Sequence, residues 1–433
     1  MKKLLYYTSI FIGTILICLT ALYIATIIPK DLIKENSIES AEILSSQKEL
    51  VHKLDESKCY TSIDNYADSI LLNIVYCLNK EAPLTSMLDA KYYEGANENA
   101  IESYKQNVLK DLEPNKSYSR YWHGSIIFLK PLLIIMNLNE IHIFSGICIL
   151  ILFGTLELLL IKKKQILLAI SLAIGFAANS IWIVPFCLEY TPVFMLMFIF
   201  SILVLLIKEE YISTLFFVSG LLTCFFDFLT TETITFTIPA LIIFCVAYDK
   251  EKFKNFKDGF TYLIKMGILW TGAYFSMWIA KWAITSIVLK RSVFEEAIQK
   301  AAVRISDSGI SSSAGEVIKA NRFFGNLISL IPIYKTTTYG EVILLLGGIG
   351  FLIFCFIYLY GKKIENYSSF KILALLMIIP YIRYLILNNH STLHAGFTFR
   401  AQIITVSAAV YMILRKVDYK LIKKDLKKLK KMF

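Results

Sequence analysis

Apolar and polar positions along this chain sort into long blocks rather than short alternations. Runs of roughly 20 apolar residues, the length that crosses a bilayer as a helix, fall at 4–28, 141–161, 165–184, 191–207, 211–228, 233–248, 259–289, 342–360, 372–387 and 397–414. The pattern predicts an all-α polytopic membrane protein with about ten transmembrane helices. A polar stretch at 29–120, rich in Glu, Lys, Ser and Leu, is predicted to form a helical first loop. Residues 126–138 are too short and too broken by Lys130-Pro131 to span, and read as a helix lying along the membrane surface. A second loop covers 290–339, with a mobile Ser- and Gly-rich stretch at 306–315. The chain thus divides into an anchor helix (1–28), a first loop with surface helices (29–138), spans two to seven (139–289), the second loop (290–339), the last three spans (340–414) and a basic tail (415–433).

Charge fixes an orientation for these blocks. Lys2-Lys3, Lys162-Lys163-Lys164, the lysines between 250 and 257, Lys362-Lys363 and the tail alternate with the spans, as the positive-inside rule requires. The short connections at 185–190, 229–232 and 388–395 carry no Lys or Arg and are read as external. Both termini are then cytosolic, in a cell membrane, and both large loops face out. Met1-Lys2-Lys3 before a long apolar run, with no Ala-x-Ala site after it, reads as an uncleaved signal anchor. Of 433 residues, 56% are hydrophobic and the mean hydropathy is +0.59, which excludes an ordinary soluble protein. The net charge of +11 follows the membrane topology, so it implies lipid contact and no nucleic acid. Six of eight cysteines lie in apolar segments. Cys59 and Cys77 share the first loop, where a disulfide between them stays open.

Once oriented, the chain places its costly polar groups, including all five histidines, at the external ends of the spans or in the loops joining them. Ionisable groups at membrane depth mark function by default. Asp64 and Asp68, four apart, would face the same way on a helix and repel, which suits a general acid or base. A solvated acidic face is the plainer alternative. Tyr121-Trp122-His123-Gly124, after Arg120, reads either as an interfacial anchor or as a phosphate grip. Asp227, inside an aromatic run before Thr230-Thr231-Glu232, either caps a helix or lines a site. Trp278 and Lys281 lie near the external end of a span, where Lys281 either snorkels or binds substrate. Arg383, His390, His394 and Arg400 flank the hairpin between the last two spans. It is read as a loop able to hold phosphate or sugar, since Arg matches phosphate geometry.

No P-loop, Rossmann glycine pattern, GxSxG or HExxH occurs, which argues against nucleotide hydrolysis and standard hydrolases. No zinc-type cysteine spacing occurs, and neither a metal nor another cofactor is indicated.

With an anchor span, a long first external loop carrying an acidic helix, surface helices before the second span and about ten spans in all, the chain resembles the GT-C class of membrane glycosyltransferases. It looks closest to multi-span proteins of Gram-positive cell-surface polysaccharide loci, through Asp64-Asn65-Tyr66-Ala67-Asp68, Tyr121 to Gly124, Phe226 to Thr231 and Asn389-His390-Ser391 to His394. The resemblance implies a polyprenyl-phosphate-linked sugar as donor, a glycan or lipid as acceptor, and an acid of the first loop as catalytic base, Asp64 first and Asp68 second. It further implies His123, Asp227, Lys281, Arg383, His390, His394 and Arg400 as donor-phosphate or substrate ligands, with Tyr121, Trp122 and Trp278 lining the site. In the family the acid follows the first span more closely and is often paired as Asp-Asp or Asp-Glu. Alternatives are a lipid-linked oligosaccharide transporter, a polysaccharide polymerase or ligase, and a non-catalytic assembly protein. Few charges lie along span interiors, which favours surface chemistry over transport.

Overall fold

A computed structural model describes residues 2–52, 62–249, 255–306, 339–363 and 368–430, with Phe253 and a few positions between 323 and 330. In chain order the helices are α1 (Lys2–Thr26), α2 (Lys34–Ser45), α3 (Asn65–Cys77), α4 (Pro83–Asp89), α5 (Ala100–Lys110), α6 (Ile126–Leu132), α7 (Leu138–Lys162), α8 (Ile166–Ala178), α9 (Thr191–Leu206), α10 (Ile212–Phe226), α11 (Ile234–Asp249) and α12 (Phe256–Leu289). They continue as α13 (Phe294–Ile305), α14 (Tyr339–Tyr360), α15 (Ser368–Ile386), α16 (Asn388–Leu393), α17 (Ala395–Thr398), α18 (Ile403–Lys416) and α19 (Tyr419–Leu429). Two three-residue strands, β1 (Leu50–His52) and β2 (Ser62–Asp64), pair antiparallel before α3.

This is a helical multi-pass membrane protein. Among the described residues seven helical segments are long and apolar enough to cross a membrane, and α8, α9 and α11 are shorter apolar helices. Exposed Ile147, Leu150, Ile151 and Leu158 on α7 show the surface that such a bundle turns to lipid. The core joins α10 to α12, α8 to α18, α9 to α11 and α15 to α18. α12 is one unbroken helix of 34 residues, about 50 Å long at 1.5 Å per residue.

Local chemistry sets the helix ends. Asn137 and Glu140 form a reciprocal capping box that starts α7. Asn255 caps α12 through the Asp258 N–H. The buried ammonium of Lys130, on α6, donates to the Thr26 carbonyl at the end of α1, 2.9 Å away, and so satisfies one of the orphan acceptors there.

Several expectations change. The apolar run 165–184 is not one helix. α8 stops at Ala178, Ser180 turns left-handed at φ 53°, and a 3-10 turn follows at Ile181–Phe186. The hairpin carrying His390 and His394 holds a short helix, α16, rather than a plain loop. Asp64 lies outside the helix it precedes, so the pair Asp64/Asp68 does not share a helical face. Cys59, residues 307–315 and most of the second loop beyond α13 lie outside the described residues.

Candidate functional site

The polar residues singled out in the sequence gather where α10, α12 and α15 reach the side of the bundle covered by the first loop. The turn Tyr121 to Gly124 docks there on the end of α10. The Gly124 N–H donates to the Phe225 carbonyl at 3.1 Å, and a Cβ on Gly124 would sit 2.5 Å from that oxygen, so only glycine fits. The Trp122 Nε1–H donates to the Met277 carbonyl on α12. Tyr121 packs edge-on against Trp278, with ring centroids 5.1 Å apart, and against Phe228. Buried His123 has Nε2 2.9 Å from the Tyr118 carbonyl, and burial pushes its pKa down to about 3. A neutral, enclosed imidazole of this kind positions the turn and does not offer a charge to phosphate.

Asp227 closes a tight turn. Its carboxylate accepts the Leu229 N–H at 2.7 Å, the Thr230 N–H at 3.0 Å and the Thr230 hydroxyl at 2.7 Å, with the Tyr274 hydroxyl 3.4 Å away. Arg383 holds the same turn from α15. It bonds both oxygens of Glu232 and the Leu229 and Thr230 carbonyls, and reaches the Ser391 hydroxyl. Lys281 is fully buried and donates to the Leu88 carbonyl in the last turn of α4, so it neither snorkels nor points into open space. These groups build the wall of the site.

Three acids lie on a different wall. Asp64 follows β2 and caps α3 through the Ala67 N–H at 2.9 Å. Burial, with Asp68 and Glu49 nearby, pushes its pKa up to about 6. Asp68 is fully enclosed, with one oxygen 3.2 Å from His142 Nε2 on α7 and the other accepting the Leu188 N–H at 2.8 Å. Glu189, the next residue along, was not singled out by the sequence. Its carboxyl makes no hydrogen bond or ion pair among the described residues, and burial with the charges of Asp64, Asp227 and Asp68 holds its pKa well above the ordinary range.

A cavity of about 910 Å³ lies between α12, α13 and α15. It is apolar along most of its length, from Phe260 and Ile264 past Gly267 and Gly272 to Trp278 and Trp282. Arg120, Lys300 and Arg304 line it where the wall turns polar. Arg120 is paired with Glu296. Arg304 makes no ion pair among the described residues; one guanidinium N–H meets His394 Nε2 at 2.9 Å. His394 is 4.7 Å from His390, ring to ring, and burial and the arginine lower its pKa to about 4, so it accepts this bond as a neutral base. Buried Arg400 lies over the Tyr190 and Phe399 rings and bonds the Gly396 carbonyl. The charges of Glu189 and Arg304 both act on Tyr118 and Tyr121, and Tyr121 lines the cavity with Arg304. Among the described residues no cluster of three His, Cys, Asp or Glu is arranged to hold a metal ion.

The sequence pointed to the Tyr121 turn, Asp64, Asp68 and Asp227, and gave no individual role to Glu189, Glu232, Arg304 and His142. The last forms a long-range pair with Asp68 that an i, i+4 pattern does not disclose. Fold and site together define a helical multi-pass membrane protein with an apolar cavity that ends at cations beside buried carboxylates. No protein-family model, curated protein or solved structure matches the chain.

Proposed function

We propose that this protein is a GT-C-type glycosyltransferase of about ten spans, moving a sugar from a polyprenyl-phosphate donor to a glycan or lipid acceptor at the outer face of the cell membrane. In this reading its termini are cytosolic. The observation that supports it is the largely apolar cavity with Arg120, Lys300 and Arg304 in its lining. An isoprenoid tail fills an apolar groove between spans, and its phosphate needs a cation where the groove ends. Arg304 offers that cation, with most of its N–H donors not committed elsewhere and its planar fork suited to phosphate oxygens.

The chemistry follows from the same layout. As the acceptor oxygen attacks the anomeric carbon, the bond to phosphate breaks and charge grows on the leaving oxygen. Fixed cations at that point lower the barrier, because they need no reorganisation as the charge appears. The acceptor's proton goes to a carboxylate. Asp68 and Asp227 have their oxygens committed to hydrogen bonds, whereas Asp64 and Glu189 each retain an oxygen for it.

Mass spectrometry of cell-surface glycan and of membrane lipids, from wild-type and deletion strains, tests this reading. Loss of one sugar from the glycan together with accumulation of its polyprenyl-phosphate form supports the transferase. An unchanged glycan overturns it. Accumulation of a complete lipid-linked oligosaccharide points instead to transport.

A further inference from the structure

Glu189 is held in place by the main chain on either side of it and makes no hydrogen bond or ion pair at its carboxyl among the described residues. The preceding Leu188 spends its N–H on Asp68, and the following Tyr190 is buried beneath Arg400. Between them the Glu189 side chain is half-buried and has no hydrogen bond or ion pair among the described residues. Asp64 by contrast is committed to starting α3. A fixed main chain with an unengaged, partly enclosed carboxyl is what a proton acceptor requires, since geometry is set before substrate arrives.

We propose that Glu189 is the catalytic base of the transfer. Resting on the transferase reading above, the step balances as follows. The acceptor hydroxyl gives its proton to the Glu189 carboxylate while its oxygen bonds to the anomeric carbon. The bond from that carbon to the phosphate oxygen breaks, and its electron pair leaves with polyprenyl phosphate, next to Arg304. Glu189 returns the proton to water afterwards.

The titratable groups that act on Glu189 come from four different elements. The charges of Asp64 before α3, Asp68 on α3 and Asp227 at the end of α10 raise its pKa, while that of Arg304 on α13 lowers it. Burial and three like charges make Glu189 more basic than an exposed carboxylate. Only its ionised form accepts a proton, so turnover rises with pH until that form dominates. Asp64→Asn keeps a capping side chain, because Asn caps helices as Asp does, and removes one of the like charges. The acidic limb of the profile then moves to lower pH.

The experiment measures turnover against pH for the wild type, Glu189→Gln, Glu189→Asp and Asp64→Asn in nanodiscs, with polyprenyl-phosphate sugar from the deletion strain as donor. Undecaprenyl phosphate binding is read in parallel by tryptophan fluorescence, since Trp278 and Trp282 line the cavity. Glu189→Gln is expected to bind undecaprenyl phosphate as the wild type does and to lose turnover by about 10²–10⁴-fold, the usual worth of a general base. Glu189→Asp is expected to regain part of it, and Asp64→Asn to keep measurable turnover with a displaced limb. Glu189→Gln turnover within tenfold of wild type, or a larger loss in Asp64→Asn than in Glu189→Gln, overturns the assignment. If the wild type neither binds undecaprenyl phosphate nor transfers sugar, the transferase reading itself falls and takes the assignment with it.

Discussion

Arg383 and Glu232 form a two-pronged ion pair inside the bundle, Nε to Oε1 at 2.6 Å and Nη2 to Oε2 at 3.2 Å. The guanidinium also gathers the Leu229 and Thr230 carbonyls, so one side chain from α15 fixes the turn that follows α10. Both partners are nearly enclosed, with side-chain exposures of 4% and 7%. At such burial the two charges stabilise each other only as a set.

Breaking this pair from one side is therefore expected to destabilise the protein strongly. Arg383→Met leaves Glu232 charged and enclosed, and Glu232→Leu leaves Arg383 so. Each is expected to cost about 3–5 kcal/mol, while the double variant recovers much of the loss because no buried charge is left alone. Thermal unfolding of the four proteins in one detergent checks this. Additive losses in the double variant contradict it.

Asp64 carries a pH signature in stability. Its folded pKa is raised from 3.8 to about 6, first by burial. A carboxyl raised in this way is favoured by the fold when protonated. Its contribution is complete below 3.8 and is lost as pH rises through about 6. Asp64→Asn keeps the cap and stays neutral, so it should be more stable than wild type above pH 6, by on the order of 1–2 kcal/mol. That advantage should shrink between pH 6 and pH 4 and vanish below. Melting temperatures across this range decide the sign, and an advantage that grows towards acid contradicts the buried-carboxyl account.

How far this could be read in advance depended on range along the chain. The long apolar helices were legible because an apolar run of bilayer length usually folds as a buried or lipid-facing helix, and the polar groups at their ends stood out against it. The break after α8 was not, because Asn179 and Ser180 are small interruptions in an apolar run and the left-handed Ser180 leaves no periodic trace. Asp64 and Asp68 were found, but helical spacing predicted a shared face, while Asp64 became a cap and Asp68 turned inward to His142, 74 positions away. Glu232 was passed over because its meaning lies in Arg383, 151 positions on. Glu189 sits in a short connection read only for its lack of Lys and Arg. Arg304 lies on an amphipathic helix inside a segment read as loop. Pairing of this kind is tertiary information, and local pattern does not contain it.

Arg304 should govern affinity for the lipid phosphate without governing the fold. It is only partly buried and its partner His394 is neutral. Removing it leaves no enclosed charge stranded. Arg304→Ala is expected to weaken undecaprenyl phosphate binding about 30- to 100-fold, the worth of a charge-assisted bond of about 2–3 kcal/mol. Arg304→Lys should recover part of this, since a lysine supplies the charge without the planar fork. Fluorescence titration gives both constants. Equal affinity in all three proteins removes Arg304 from the phosphate site.

The groove itself can be tested without touching any charged group. Gly272 lies on α12, lines the cavity, and a Cβ built there meets nothing within 4 Å. A large side chain at this point therefore enters open space rather than a neighbour. Gly272→Phe also removes a glycine from a helix interior, where glycine is unfavourable by about 1 kcal/mol relative to alanine. The fold should be kept or slightly strengthened, and the melting temperature should not fall. Yet the ring occupies the path an isoprenoid tail would take past Ile268 and Phe275, which line the same stretch. Affinity for undecaprenyl phosphate is expected to drop at least tenfold, while a short water-soluble prenyl phosphate that reaches only the Arg304 end is bound as before. Equal loss for both lipids would mean that the ring distorts the mouth. No loss for either would mean that the tail lies elsewhere, and the cavity would then have no part in holding a donor.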